Sequence, residues 1–160
     1  MRLNPTLPLC LLALAASVAA RAAPPDEATP ASYRHASECV AVLKRDALGL
    51  VEASRASQPG ARASLLRLTE QGFAFVGTAY KAGLRNPLAD QLLAEAEQAQ
   101  QRWPAERLRQ LATDCQGEGA TLLKQSNFIE RALVSNRAKA RVEHLLTPAV
   151  PPSPAAAPPR

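Results

Sequence analysis

Few residues in this chain are equipped for chemistry. There are two histidines, His35 and His144, and three cysteines, Cys10, Cys39 and Cys115. His35 and Cys39 are four apart, a spacing that puts both on one face of a helix. With Cys115 and His144 they would make a four-ligand nitrogen and sulfur set of the kind zinc takes. Zinc signatures carry more tightly spaced ligand pairs, however. In an oxidising compartment the same two cysteines pair with each other. The expectation is therefore a Cys39–Cys115 disulfide, with no metal and no cofactor. The loop it closes is long, which corresponds to about 4–5 kcal/mol in the chain-entropy picture.

The compartment follows from the N-terminus. Arg2 is a short basic region, "LPLCLLALAASVAA" (Leu7 to Ala20) is an apolar core, and Ala20-Arg21-Ala22 reads as a cleavage signal. These are the parts of a secretory signal peptide, cut after Ala22 or, alternatively, after Ala19. The apolar run is shorter than the roughly 20 residues of a membrane span, and no later segment is apolar enough for one. Cys10 leaves with the signal peptide. A periplasmic or secreted chain is expected. Removing Arg2 and Arg21 takes 19 basic residues to 17 against 14 acidic ones, a net of +3. That is too little to suggest nucleic acid as a partner.

Catalytic signatures are missing from the sequence: there is no Walker A, G-x-G-x-x-G, H-E-x-x-H or C-x-x-C. No serine is marked as a nucleophile beside either histidine. Glu95 and Glu97 are two apart, so on a helix they diverge.

The elements that position these residues all have helical period. "APPDEATP" opens a polar, Pro-rich lead-in, residues 23–31, expected to be disordered, with Thr29-Pro30 suited to cap the first helix. That helix runs from Ser32 to about Ser57, where Gln58-Pro59-Gly60 ends it. The second covers Ala61 to Leu84. Asn86 and Pro87 suit the N-cap and N1 positions of a third, Pro87 to Arg102, which buries Leu88, Leu92, Leu93 and Ala96. The fourth starts at Pro104 and continues through Gly117 and Gly119. Asn127 and Glu130 resemble a capping box for a fifth, Phe128 to Leu146, whose apolar line is Ile129, Leu133, Val142 and Leu146. Thr147 to Arg160 is a Pro/Ala-rich tail with no core to join. The fold class is all-α: a small antiparallel bundle of five helices over residues 32–146, with the first and fourth tied by the disulfide.

One segment departs from this composition. "QGFAFVGTAYKAGL" (Gln71 to Leu84) holds three of the seven glycines and three of the six aromatics. At about 100° per residue, Gly72, Phe73, Val76, Tyr80 and Gly83 share one broad apolar face. Gly72 and Gly83 on that face mark either a close helix contact or a ligand recess. Phe75 projects elsewhere, and either packs under another helix or is partly exposed. In the second case it is a candidate surface contact, as are Arg137 and Arg141, which share a side of the basic fifth helix and suit weak contact with an anionic envelope surface.

The function class this leaves first is a non-catalytic binding or chaperone-like protein whose partner is an envelope protein. An envelope enzyme with a site assembled across helices, and a structural or immunity-type inhibitor role, are the alternatives.

Overall fold

A computed structural model describes residues 30–147. The segment expected to be a signal peptide, the lead-in up to Thr29 and the tail beyond Thr147 lie outside the described residues. Five helices follow in order: α1 (Pro30–Arg55), α2 (Ala61–Lys81), α3 (Leu88–Gln100), α4 (Ala105–Gln125) and α5 (Phe128–Leu146). They form an all-α bundle with no strand among the described residues. α1 is the central member and touches the other four, while α2 also packs on α4 and α5.

The helix ends follow local chemistry. α1 takes up Pro30 and Ala31, so the lead-in is two residues shorter than expected; proline's fixed φ suits a first helical position. α2 stops at Lys81, three residues early. Gly83 has φ +110, its N–H donates to the Tyr80 carbonyl, and the Leu84 N–H donates to the Ala79 carbonyl. Those two bonds are the Schellman closure, and the left-handed position they need is one that glycine adopts readily. Leu84 then folds back and is buried.

Asn86 does not cap α3. The Tyr80 hydroxyl donates to its carboxamide oxygen, and α3 begins at Leu88 without a side-chain cap. α4 is continuous through Gly117 and Gly119. α5 has the capping box: the Glu130 N–H donates to Asn127 Oδ1 at 2.9 Å, and the Asn127 N–H donates to Glu130 Oε2 at 3.1 Å.

The core lies between α1, α2, α4 and α5. Cys39, Leu43, Ala47 and Val51 descend α1 at four-residue steps, facing Leu65, Leu68 and Phe75 of α2, Ala112 and Cys115 of α4 and Val142 of α5. A second cluster, Ala79, Leu84 and Leu92, seats α3 with help from Tyr33. Many buried positions are Ala or Gly, which lets the helix axes approach and brings side-chain donors within reach of neighbouring backbones. Gln71 Nε2 donates to the Gln116 carbonyl at 3.0 Å, Gln100 Nε2 to the Glu38 carbonyl at 2.8 Å and the Tyr33 hydroxyl to the Ala82 carbonyl at 2.9 Å. Each bond joins two different helices or a helix to its neighbour's end. The Cys39–Cys115 disulfide joins α1 to α4, with Cα atoms 5.3 Å apart.

Candidate functional site

The buried side of α2 differs from the one expected. Leu65, Leu68, Phe75 and Ala79 face inward, and of these Leu68, Phe75 and Ala79 lie more than a quarter-turn from Phe73. Phe75, expected as a surface contact, is only 2 % exposed. It sits in the core with its ring edge-on to the His35 imidazole, centroids 6.3 Å apart. The physical reason is that α2 is covered by α1, α4 and α5 together, so small residues such as Ala74 and Ala79 serve as contact points and the polar Gln71 is buried among them.

Of the Gly72, Phe73, Val76, Tyr80 and Gly83 set, the structure brings the first three together. Gly72, Phe73 and Val76 line a shallow apolar recess of about 140 Å³ between α1, α2 and α5, with Val40 and Leu43 on its wall and Lys44 and Arg141 at its rim. A Cβ on Gly72 would meet nothing within 4 Å, so this glycine opens space and brings no helix close. Tyr80 lines a separate recess toward α3, with Val76 between the two. Gly83 lines neither; it follows the end of α2, exposed, and a Cβ there would stand 3.2 Å from the Tyr33 hydroxyl of α1. The closest helix contact is made by a glycine not singled out in the sequence for packing. A Cβ at Gly119 of α4 would stand 2.8 Å from Gln71 Cβ.

The histidine and cysteine residues also regroup. His35 Nε2 lies 2.7 Å from Glu118 Oε2 and 3.8 Å from Cys39 Sγ. His144 stands apart, exposed near the end of α5. No family model, curated protein or solved structure matches this chain. Its functional reading therefore rests on its own residues.

The feature that sequence reasoning missed most fully is the outer face of α5. Two apolar lines run along this helix. Val134, Ala138, Val142 and Leu145 turn inward. Ile129 and Leu133 lie roughly opposite, with Phe128 about 100° to one side of Ile129; Phe128, Ile129 and Leu133 are 78 %, 69 % and 52 % exposed. Ile129 and Leu133, expected in the packed line of α5, thus face outward. The reason is that α5 leans on α2 and to a lesser extent on α1, leaving its N-terminal outer side without a neighbouring helix. Phe128 followed directly by Ile129 was the available signal: adjacent helical residues point about 100° apart, so a narrow contact cannot bury both.

Lys124, Arg131 and Arg137 are exposed on α4 and α5; around the α5 axis Arg137 lies about 40° from Leu133, whereas Arg131 lies about 160° from it. Arg131 donates to the Ser126 carbonyl, and Arg137 makes no ion pair among the described residues. The adjacent acid, Glu130, accepts from Lys81 Nζ at 2.7 Å. The Lys81 ammonium, followed by the Asn127 backbone N–H, holds the Glu130 carboxyl below its ordinary value. Glu130 is thereby committed within the fold, and its charge is offset.

Proposed function

We propose that this is an exported, non-catalytic binding protein of the cell envelope, chaperone-like in action, which holds an apolar segment of another protein on the outer face of α5. The observation that carries the reading is the exposed trio Phe128, Ile129 and Leu133. Large apolar side chains exposed within the first two turns of a helix are candidates for docking, and aromatic anchors dominate binding energy at such sites. The cation Arg137, close to Leu133 around the helix, favours a partner segment with acidic residues beside its apolar run. No described helix is long and apolar enough to cross a membrane. The sequence supports export through its Arg2, Leu7–Ala20 and Ala20-Arg21-Ala22 pattern, and the disulfide suits the same compartment.

The test is suppression of aggregation. The mature chain is mixed at equal molar amounts with a chemically reduced, unfolded model client, and light scattering is followed. The protein should slow aggregation, and the Phe128→Ser/Leu133→Ser variant should lose that effect while keeping its helical circular dichroism. Equal behaviour of the two proteins, or no protection by either, would contradict the proposal. Dimerisation abolished by the same variant would assign the face to a second copy instead. Export is checked separately: the protein released from the envelope should begin at Ala23, and a cytosolic protein retaining Met1 would refute it.

A further inference from the structure

The regrouping of His35 and Glu118 around the disulfide points to a second ligand-binding capacity. We propose that the reduced protein carries a divalent-metal site of the zinc class, formed by Cys39 and Cys115 as thiolates, His35 through Nε2 and Glu118 through one carboxylate oxygen. This inference is independent of the docking face on α5.

The spacing is that of a two-helix metal site. His35 and Cys39 are separated by four residues on α1, and Cys115 and Glu118 by three on α4, so each pair shares a face of its helix. The disulfide shows that the two faces meet. His35 Nε2, Cys39 Sγ and Glu118 Oε2 all lie within 4.8 Å of one another, and Cys115 Sγ is bonded to Cys39 Sγ. Metal bonds of about 2.3 Å to sulfur and 2.0–2.1 Å to nitrogen put tetrahedral S and N ligands roughly 3.5 Å apart. The observed Nε2···Sγ separation of 3.8 Å is close to that value. The His35–Glu118 distance of 2.7 Å must open slightly, and both side chains are about half exposed and free to do so. Breaking the disulfide lets the sulfurs move apart.

The surroundings suit a site with one open side. The sulfurs are fully buried, so the thiolates would be shielded by protein, whereas His35 and Glu118 face solvent and provide an entry path. The Phe75 ring stands edge-on to the imidazole, with centroids 6.3 Å apart.

The chemistry balances in two steps. A dithiol donor delivers two electrons and two protons to the Cys39–Cys115 bond, and the donor itself becomes a disulfide. The metal ion then displaces the two thiol protons, and His35 binds as neutral imidazole with its proton on Nδ1. In the oxidised protein the sulfurs are bonded to each other and His35 and Glu118 pair. The α1–α4 clamp is thus covalent when oxidised and metal-borne when reduced.

The experiment uses the mature chain, reduced with a phosphine under oxygen-free conditions and titrated with Co²⁺ and, by displacement, Zn²⁺. One equivalent of Co²⁺ should bind to the reduced protein with a thiolate-to-metal charge-transfer band, and none to the oxidised protein. His35→Ala and Glu118→Gln should each weaken binding at least tenfold. Circular dichroism is recorded in parallel. If reduction loosens the fold, Zn²⁺ should restore the helical signal. Binding no tighter than that of the Cys39→Ser/Cys115→Ser protein would overturn the site. So would binding indifferent to His35 and Glu118, or a reduced chain that stays unfolded with Zn²⁺ present.

Discussion

Gly119 of α4 lies flat against Gln71 of α2, so close that a Cβ at 119 would stand 2.8 Å from Gln71 Cβ and 3.3 Å from its Cα. This contact holds the two helices at the separation where Gln71 Nε2 reaches the Gln116 carbonyl. Gly119→Ala should therefore destabilise the fold by about 1–3 kcal/mol, the usual cost of overpacking. Gly72→Ala should do the opposite. Its Cβ would enter open space inside a helix, and the gain should be about 0.5–1 kcal/mol. Denaturant midpoints of the two variants test the pair, and equal effects at both positions would contradict the packing.

Phe75 and Phe128 make a second contrast. Truncating a buried Phe typically costs about 3–5 kcal/mol, so Phe75→Ala should lower the urea midpoint sharply. Phe128→Ala, at a 78 % exposed position, should stay within about 0.5 kcal/mol of the parent. The same comparison shows whether variants on the α5 face report on binding free of folding defects.

These residues also show what was legible in the sequence. The helix count, the continuity of α4, the α5 capping box and the disulfide all rest on local spacing and chemistry, and the structure has them. The orientation of α2 does not rest on local rules. Its apolar residues spread widely around the axis, and the choice of buried side was made by the three helices that surround it. Gln71 is polar yet buried, because Gly119 and the Gln116 carbonyl of the neighbouring helix make room for it. The helical period across Gly83 suggests a close helix contact or a ligand recess; the residue does approach Tyr33, but its positive φ serves the turn of the chain toward α3. For the candidate site, Gly72, Phe73 and Val76 did prove to be neighbours, but the α5 outer face escaped notice because its exposure depends on where α5 leans.

Glu130 gives a pH-dependent prediction. Its carboxyl is held below the ordinary value first by the Lys81 ammonium and then by the Asn127 N–H. A lowered folded-state pKa means the contribution is present above the unfolded value and lost as pH falls through the folded one. The start of α5 should fray under acid conditions, seen as faster amide exchange at residues 130–133. Glu130→Gln should remove the acid dependence of that exchange. A direct readout is its carboxyl carbon resonance, whose midpoint should fall below that of an unstructured glutamate.

Loss of the disulfide should be costly. It closes a loop with a separation of 76 residues and ties α1 to α4 at the centre of the core. Cys39→Ser/Cys115→Ser should lose about 2–5 kcal/mol, read from the denaturant midpoint under oxidising conditions. A variant as stable as the parent would show that packing alone fixes α1 against α4.

The central claim is that the outer face of α5 is where this protein meets its partner. The most direct measurement is backbone amide chemical-shift mapping of the mature protein during titration with an unfolded client. The account predicts shifts concentrated at Phe128, Ile129 and Leu133 and their neighbours Arg131 and Arg137, and their loss in the Phe128→Ser/Leu133→Ser variant. Shifts concentrated instead around Gly72 and Phe73, or an unperturbed α5, would contradict it.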